Sequence, residues 1–227
     1  MIIGLAGIAG VVGAKLYHLL ESPHEFFAHP FELFFSRTGL AWFGGLIAGF
    51  ITLSLLAHYF SMPVLEMFDA CSPAAAVGYG IGRLGCLTSG DGDYGVPTSL
   101  PWGMSFPNGI VPTTERVHPT PIYEFLAAAV IFWILWRLGA AAAQNEGNKK
   151  RSRSKKQSAA AEEGPPAGHV FAWYLVLTGA ARFLVEFIRI NPRTIFGMSN
   201  AQAMSLVSMM VGALLLWRVR TLAPRDS

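Results

Sequence analysis

Six stretches of this chain are apolar over nearly the length that a helix needs to cross a membrane. About 20 consecutive apolar residues span the hydrocarbon core of a bilayer as a helix. The six stretches are residues 1–20, 39–60, 64–87, 121–143, 168–190 and 201–217. The sequence therefore predicts an all-α fold, a polytopic transmembrane helical bundle with six spans.

Composition agrees with a membrane protein. Hydrophobic residues make up 52% of the 227 residues, and charged residues only 14%. This balance is untypical of a soluble globular domain. The net charge of +3 is small, and the Lys and Arg residues are clustered. We therefore interpret the charge as a signal of membrane orientation and expect no nucleic-acid partner.

Basic residues predict how the spans are oriented. The segment 148–157, NKKRSRSKKQ, lies between the fourth and fifth stretches, and three arginines follow the sixth: Arg218, Arg220 and Arg225. Lys and Arg in short loops mark the cytoplasmic side of a membrane. Six spans place both basic regions on the same side, so the two signals agree.

The same topology predicts the organisation of the whole chain. We expect one transmembrane domain over 1–227, with 144–167 as a basic, flexible cytoplasmic linker. The loop 88–120 then faces the periplasmic side. Because it is dense in Gly and Pro, it favours turns and short extended pieces over helix. A loop of this length is often functional.

The fifth stretch carries three charged residues on one helix face. Arg182, Glu186 and Arg189 are spaced by four and then three residues. Charges inside a membrane helix are costly unless they are paired or hydrated. One interpretation is an ion pair between Arg182 and Glu186, with Arg189 snorkelling to the interface. The other is a polar face that binds an anionic group.

Arg83 stands in a similar apolar setting, at the end of the third stretch. The glycines around it favour close helix packing or a broken helix end; they are Gly78, Gly80, Gly82 and Gly85. A guanidinium group binds phosphate well because it is planar and offers two donors as a fork. Arg83 and Arg182 both lie toward the outer leaflet. Together they predict a site for a phospholipid head group.

The junction ERVHPTPIYE, residues 115–124, leads from the loop into the fourth stretch. Thr120 is a candidate N-cap with Pro121 at the first helical position. His118 is either a proton acceptor or a structural hydrogen-bonding residue. Glu124 is placed to complement the helix dipole.

Other polar residues favour structural roles. Asp91 and Asp93 lack the further ligands of a calcium loop, so a tight turn with Asx hydrogen bonds is favoured. Cys71 and Cys86 form no metal-ligand pattern and are interpreted as inert thiols. Asp69, near the cytoplasmic end of its helix, is expected to be solvated. We therefore expect no metal and no cofactor.

Several blocks, in this order, resemble the bacterial prolipoprotein diacylglyceryl transferase family. The blocks are GLAWFGGLIAGF, GYGIGRLGC, DYGVPTSLPWGMSFPNGIVPTTERVHPTPIYE, GHVFAWYLVLTGAARFLVEFIRINP and SNAQAMSLVSMMVG. They cover most of the chain apart from the basic linker. No single block is specific, but the combination is.

The resemblance implies a seven-helix, multi-pass enzyme of the bacterial inner membrane. Its partners are membrane lipids, phosphatidylglycerol among them, and a prolipoprotein signal peptide with a lipobox cysteine. It transfers the sn-1,2-diacylglyceryl group of phosphatidylglycerol to the cysteine thiol and releases glycerol 1-phosphate. This is the first step of lipoprotein maturation, and it implies no cofactor. Since the substrate supplies the thiol, the chain's own cysteines need no catalytic duty.

The resemblance also assigns residues. Arg83 matches the family's glycine-flanked arginine and Arg182 the arginine of the RFLVEF block. The expected catalytic residues are Arg83, Arg182, His118 and Glu186. The expected substrate-binding residues are Arg83, Arg182, Arg189, Gly95, Tyr123 and Glu124.

The chain departs from the family pattern in four ways. Phe43, Thr178 and Cys86 stand where many members have histidine, tyrosine and asparagine. The first two changes concern proton transfer, and none removes the arginines. The first stretch looks like the family's second helix, so we expect six spans with the family's first helix missing, because it precedes Met1 or is absent.

Two alternatives remain at this point. One is a divergent relative that binds anionic phospholipid but uses another acceptor or lacks transferase activity. The other is a small transporter. Transporters often contain internal repeats, and the first three stretches show no convincing similarity to the last three.

Overall fold

The computed structural model describes residues 2–21, 26, 30–35, 41–153, 167–195 and 197–222. The helices in these ranges are α1 Ile2–Glu21, α2 Pro30–Phe35, α3 Trp42–Tyr59, α4 Val64–Ser89, α5 Thr120–Arg153, α6 His169–Val185 and α7 Asn200–Leu222. A 3-10 turn, Glu186–Ile188, continues α6. Four short strands complete the described structure: β1 Met104–Phe106, β2 Thr113–Val117, β3 Arg193–Ile195 and β4 Met198–Ser199.

The structure is mostly helical, as the sequence predicts. However, fewer candidate membrane spans are found than the six that were predicted. Four described helices are long and apolar enough to cross a membrane: Ile2–Leu20, Thr120–Ala141, His169–Ile188 and Asn200–Thr221. The apolar part of α3 is shorter. Helix α4 is long, but it carries Glu66, Asp69 and Arg83 and is not among the four. The prediction of six spans is therefore not confirmed.

Contacts divide the chain into two compact units, Met1–Phe68 and Asp69–Ser227, with the boundary inside α4. In the first unit α1 and α3 approach closely through glycines. A Cβ atom on Gly13 would lie 2.7 Å from the carbonyl oxygen of Gly44. Backbones come this near only where side chains are absent, as at small-residue contacts between membrane helices.

In the second unit α5 packs against α4 and α6 through an apolar core. Its buried members are Ala76, Ile131, Leu135 and Val170, with partly buried side chains such as Phe132 and Trp173 around them. Helix α7 packs against α6, and Ser208 Oγ donates to the carbonyl of Leu175 at 3.1 Å. These contacts fix the ends of α4, α5 and α6 that carry the site.

Helix α4 is continuous to Ser89, so the glycines around Arg83 do not break it. Of these glycines only Gly80 packs closely: a Cβ atom there would lie 3.1 Å from Ala128 Cβ and 3.3 Å from Phe125 of α5. Gly78, Gly82 and Gly85 have nothing within 4 Å of such an atom. The prediction of close packing is correct for one glycine, and the broken helix end is wrong.

Asp69 is half-buried and has a structural role that the expectation of a solvated residue did not include. Its two carboxylate oxygens accept hydrogen bonds from the backbone amides of Gly168 at 2.7 Å and Phe171 at 2.6 Å. The first amides of a helix have no partner within the helix. Asp69 therefore caps α6 from another helix.

The loop between α4 and α5 contains the antiparallel pair β1–β2, with Met104 opposite Val117. Strands β3 and β4 form a second antiparallel pair, with Arg193 opposite Ser199. Helix α5 continues to Arg153, through the first residues of the predicted linker 144–167. Residues 154–166 and Arg225 lie outside the described residues, and the one-domain organisation stays a prediction.

Candidate active site

Three arginines and three carboxylates meet where α4 and α6 end and α5 begins. Arg83 lies in the last two turns of α4, and Arg182 in the last turn of α6. Arg189 follows the 3-10 turn. The carboxylates are Glu124 of α5, Glu186 of the 3-10 turn and Asp93 of the loop after α4. Opposite formal charges are equal in number, which lowers the cost of placing them near an apolar region.

Glu124 connects all three arginines. Its Oε1 atom lies 3.4 Å from Arg182 Nη1, and its Oε2 atom lies 3.3 Å from Arg189 Nη1 and 3.7 Å from Arg83 Nε. Tyr79 donates its hydroxyl to Oε1 at 2.5 Å. Glu124 is buried. It is therefore the common counter-ion of the cluster, which is more than the predicted complement to a helix dipole.

Asp93 bridges the ends of two helices, since one of its oxygens accepts from Arg83 and the other from Arg189. The loop holds it in place from both sides. The backbone amide of Asp93 donates to Asp91 Oδ1 at 3.1 Å, which is the Asx turn that the sequence predicts. The hydroxyl of Thr120 donates to the carbonyl of Asp93 at 2.6 Å. Thr120 thus secures the loop, and its use as a side-chain cap of α5 stays a prediction.

Arg182, Glu186 and Arg189 form the ion pairs that their spacing predicts. Arg182 Nη1 lies 2.9 Å from Glu186 Oε2, and Arg189 Nε lies 3.7 Å from the same oxygen. Asn191 donates to the other carboxylate oxygen of Glu186 at 2.6 Å. The side chain of Arg189 is only 7% exposed. It is a buried member of the cluster, so the interpretation of a snorkelling residue is wrong.

The arginines differ in how much of their guanidinium group is free. Arg189 donates from Nη1 to Glu124 and from Nη2 to Asp93, while its Nε lies 3.7 Å from Glu186 Oε2, too far for a hydrogen bond. Arg83 uses only Nη1 and Nε, and Arg182 only Nη1, among the described residues. The side chains of Arg83 and Arg182 are 20% and 25% exposed. Arg83 and Arg182, on separate helices, thus keep donors that are not used toward described carboxylates, and Arg189 is the most buried of the three; its predicted contact with substrate stays a prediction.

The charge of Asp93 makes the site sensitive to acid. Burial raises the pKa of Asp93, but the hydrogen bond and charge of Arg189, and then the charge of Arg83, lower it more, so that the pKa lies below its ordinary 3.8. A carboxyl with a lowered folded pKa stabilises the protein fully above its unfolded pKa. This stabilisation is lost as the pH falls through the folded pKa.

We therefore expect Asp93→Asn to be less stable than the wild type at neutral pH, and the difference to shrink toward zero in strong acid. Thermal unfolding in detergent, followed from neutral pH into the acid range for both proteins, checks this. A difference that stays constant over the whole range would contradict an ionised Asp93 between two arginines.

A second polar group stands beside the cluster. Trp102 Nε1 donates to the hydroxyl of Tyr123 at 2.8 Å, and this hydroxyl lies 3.1 Å from His118 Nδ1. The backbone of His118 pairs with Gly95 and Val96, which follow Asp93 closely in the chain. His118 is half-buried. A ring nitrogen that is hydrogen-bonded and partly open to solvent is suited to proton exchange.

Gly95 allows the ion-pair cluster and the group of Trp102, Tyr123 and His118 to lie close together. Its amide donates to the carbonyl of His118 at 2.9 Å, and it forms a bridge with Arg189. A Cβ atom at this position would lie 2.6 Å from the carbonyl oxygen of Ile188 and 2.7 Å from His118 Cβ. Gly95 is buried and therefore contributes close packing of three chain segments. Its predicted contact with substrate stays a prediction.

Gly95→Ala is expected to destabilise the protein by about 1–3 kcal/mol, the usual range for an extra methyl group in a packed site. Activity should fall as well, because the segments that hold His118 and Arg189 must separate. Gly78→Ala is the matched control, since nothing lies within 4 Å of a Cβ atom there. Thermal unfolding of both variants checks the difference. Equal melting temperatures would show that the loop yields without strain.

Sequence reasoning missed three residues of the cluster. Asp93 was interpreted only as a turn residue, and Asn191 gave no signal. Tyr79 lies four residues before Arg83, a spacing that places both on one helix face. Its ring stacks on the guanidinium, with Arg83 Cζ 4.9 Å from the ring centroid.

The three residues that depart from the family pattern, Phe43, Thr178 and Cys86, have different surroundings. Thr178 donates back to the carbonyl of Tyr174 on its own helix at 2.6 Å. Cys86 Sγ lies 4.0 Å from Arg83 Nη1. Its ligand atom also lies within 4.8 Å of those of Asp91 and Asp93. Because Asp93 accepts hydrogen bonds from two arginines, the grouping of Cys86, Asp91 and Asp93 is better explained as part of the ion-pair cluster than as a metal site. The side chain of Phe43 lies outside the described side chains.

Comparison with known proteins gives the family of the chain. Residues 2–218 match the family model described as prolipoprotein diacylglyceryl transferase. Three relatives are each named phosphatidylglycerol–prolipoprotein diacylglyceryl transferase. The one from Clostridium tetani is 31% identical, over 93% of this chain and 76% of the relative. That from Parasynechococcus marenigrum is 31% identical over 91% and 73%, and that from Bordetella avium is 33% identical over 91% and 71%. By this match along almost its whole length, the chain belongs to the prolipoprotein diacylglyceryl transferase family.

Proposed function

We propose that this protein transfers the diacylglyceryl group of phosphatidylglycerol to the cysteine thiol of a prolipoprotein, with Arg83 and Arg182 binding the lipid phosphate. As a member of its family the chain is a transferase, and its relatives are named for these two substrates. The finer elements of the proposal are the residue roles, the lipobox signal peptide as acceptor, and the placement in the bacterial inner membrane.

One observation carries the assignment of the phosphate site. Arg83 and Arg182 come from different helices, share Glu124 as counter-ion, and keep free donors that are partly exposed. A planar guanidinium group presents two parallel donors to a phosphate. Two such groups on either side of one carboxylate can contact the same head group. Arg189, the most buried of the three arginines, donates to Asp93 and Glu124 and holds them in position.

The arginines suit the charge change in the reaction. The acceptor thiolate forms a bond from sulfur to the glyceryl carbon next to the phosphate, and the bond from that carbon to oxygen breaks. Its electron pair stays on the phosphate, so a phosphodiester with one negative charge becomes a phosphomonoester with about two. Groups that bind the more charged state more strongly lower the barrier.

His118 is the better of the two predicted proton acceptors. The thiol must lose its proton because the thiolate is the nucleophile. Glu186 is buried, paired with Arg182 and hydrogen-bonded to Asn191, so a proton would have to displace strong partners. His118 is half-buried, and within the described part of the chain its ring is hydrogen-bonded to the hydroxyl of Tyr123. We assign His118 to proton transfer and Glu186 to fixing Arg182.

The arrangement of helix ends supports an orientation. The cluster gathers the end of α4, the beginning of α5 and the end of α6, which must lie on one side of the membrane. The basic segment 148–157 follows the opposite end of α5's apolar part. Basic segments mark the cytoplasmic side. We therefore place the site at the outer leaflet and the segment 148–157 in the cytoplasm.

One reconstitution tests the function. The protein is placed in vesicles with phosphatidylglycerol and a lipobox peptide, and the peptide is analysed by mass spectrometry. The expected product is a diacylglyceryl thioether, with glycerol phosphate released in equal amount. A serine peptide in place of the cysteine peptide should give no product. Glycerol phosphate without a thioether would indicate another acceptor, and neither product, where a relative is active, would refute the transferase.

A further inference from the structure

The loop between α4 and α5 has an unusual composition for a segment outside the apolar spans. From Gly95 to Thr114 it contains no acidic, basic or histidine residue. It also exposes apolar side chains: Ile110 is 74% and Trp102 is 56% exposed, and Val96 and Val111 are exposed as well. Single exposed apolar residues are normal. Several of them in an uncharged segment mark a contact surface.

The loop is tied to the ends of three helices. The amide of Ile110 donates to the carbonyl of Ser89, the last residue of α4, at 3.0 Å. The amide of Val96 donates to the carbonyl of Ile188, the last residue of an apolar span, at 2.8 Å. Trp102 Nε1 donates to the hydroxyl of Tyr123, which lies in the first turn of the apolar span Thr120–Ala141. Two of these ends belong to candidate spans, and the end of such a span is expected at the membrane boundary. Val96 and Trp102, which are tied to these two ends, are then expected near that level.

Backbone carbonyls of the turn that carries Trp102 accept hydrogen bonds from a side chain of the protein. Arg116 donates to the carbonyls of Leu100 at 3.3 Å, Pro101 at 2.8 Å and Gly103 at 3.1 Å. Carbonyl groups need internal partners wherever water is scarce. An exposed turn in bulk water has no such need.

We propose that the loop 95–114 lies in the interfacial layer of the bilayer, with Val96, Trp102, Ile110 and Val111 in contact with lipid. Trp102 suits this layer because its ring is apolar and its N–H needs a partner, which Tyr123 supplies. The segment 95–114 itself brings no charged side chain toward the acyl chains, where charge is costly, and the guanidinium of Arg116 faces the carbonyls of the turn. The inference does not depend on the transfer reaction, and a protein without activity would still insert the loop.

Spin labelling in the full chain tests this proposal. Cys71 and Cys86 are replaced by alanine, and a nitroxide is attached at Ile110→Cys in vesicles of phosphatidylglycerol and phosphatidylethanolamine. Oxygen concentrates in the bilayer, and a nickel chelate stays in water. We expect the label at Ile110 to collide several-fold more with oxygen than with nickel. Asn108→Cys, at an exposed polar residue of the same loop that is not among the proposed lipid contacts, is the control and should show a clearly lower ratio of oxygen to nickel collisions.

Two outcomes would overturn the proposal. In one, the labels at Ile110 and Asn108 collide with nickel equally, which places the loop in water. In the other, the Ile110 label is protected only after a lipoprotein precursor is added, which makes the loop a peptide-binding surface. Val111→Cys provides a second reporter if the label at Ile110 disturbs the fold.

Discussion

Replacing Arg83 with alanine is expected to lower the rate of diacylglyceryl transfer by at least about 100-fold, the usual effect of removing one group that stabilises developing charge. Arg83 has a donor free for the phosphate and a side chain open to the outside. Its loss also removes one of the two arginines that donate to the carboxylate of Asp93. The fall should appear in kcat as well as in kcat/KM, because the phosphate gains charge during the reaction.

Arg83→Lys separates charge from geometry. A lysine keeps the positive charge but loses the planar fork, so we expect an activity between those of the wild type and the alanine variant. Arg137→Ala is the matched control. Arg137 is an exposed arginine of α5 that contacts the ring of Trp133 and lies away from the cluster. Full activity of Arg83→Ala in the vesicle assay, with normal protein levels, would remove Arg83 from the phosphate site.

The parts of this site that were predictable are those set by local spacing. Arg182 and Glu186 are four residues apart on one helix, so their ion pair follows from helix geometry, and the structure has it at 2.9 Å. The Asx turn at Asp91 follows likewise from residues two apart. Neither needs knowledge of how the helices pack.

The parts that were missed depend on contacts between distant segments. Asp93 reaches Arg189 across 96 residues, and Glu124 reaches Arg182 across 58. Each carboxylate alone has a sufficient local explanation, as a turn residue or as a complement to a helix dipole. Only the packing of α4, α5 and α6 shows that both face the arginines. The sequence contains the charges but no periodicity that pairs them.

In the fold, too, features set by local sequence were predictable and features set by contacts between distant segments were not. Apolar length predicted α1, α5, α6 and α7 as candidate spans, because hydropathy is a property of each segment alone. Helix α4 was predicted as a span too, and it does form one continuous helix. Its charged residues serve tertiary purposes: Asp69 caps α6 and Arg83 joins the cluster. These charged residues lower the mean hydropathy of α4, so it is not among the four described helices that are long and apolar enough to cross a membrane.

Glu124→Gln is expected to lower the free energy of unfolding by about 3–5 kcal/mol, the usual cost of removing one partner from a buried ion pair. Glutamine has nearly the same shape and can still accept the hydroxyl of Tyr79. It cannot neutralise Arg182 and Arg189, which lie 3.4 and 3.3 Å from the carboxylate. Three arginines would then share two carboxylates. Thermal or denaturant unfolding in detergent measures the loss, and Glu115→Gln, at an exposed glutamate of β2, is the matched control.

A second substitution tests whether charge balance causes this loss. Arg189→Gln alone should also destabilise the protein, because it leaves Asp93 and Glu124 with fewer partners. Combined with Glu124→Gln, it restores equal numbers of arginines and carboxylates. The double variant should therefore be more stable than the sum of the two single effects predicts, by about 0.5–3 kcal/mol for residues in contact. Strictly additive losses would show that Glu124 and Arg189 do not depend on each other.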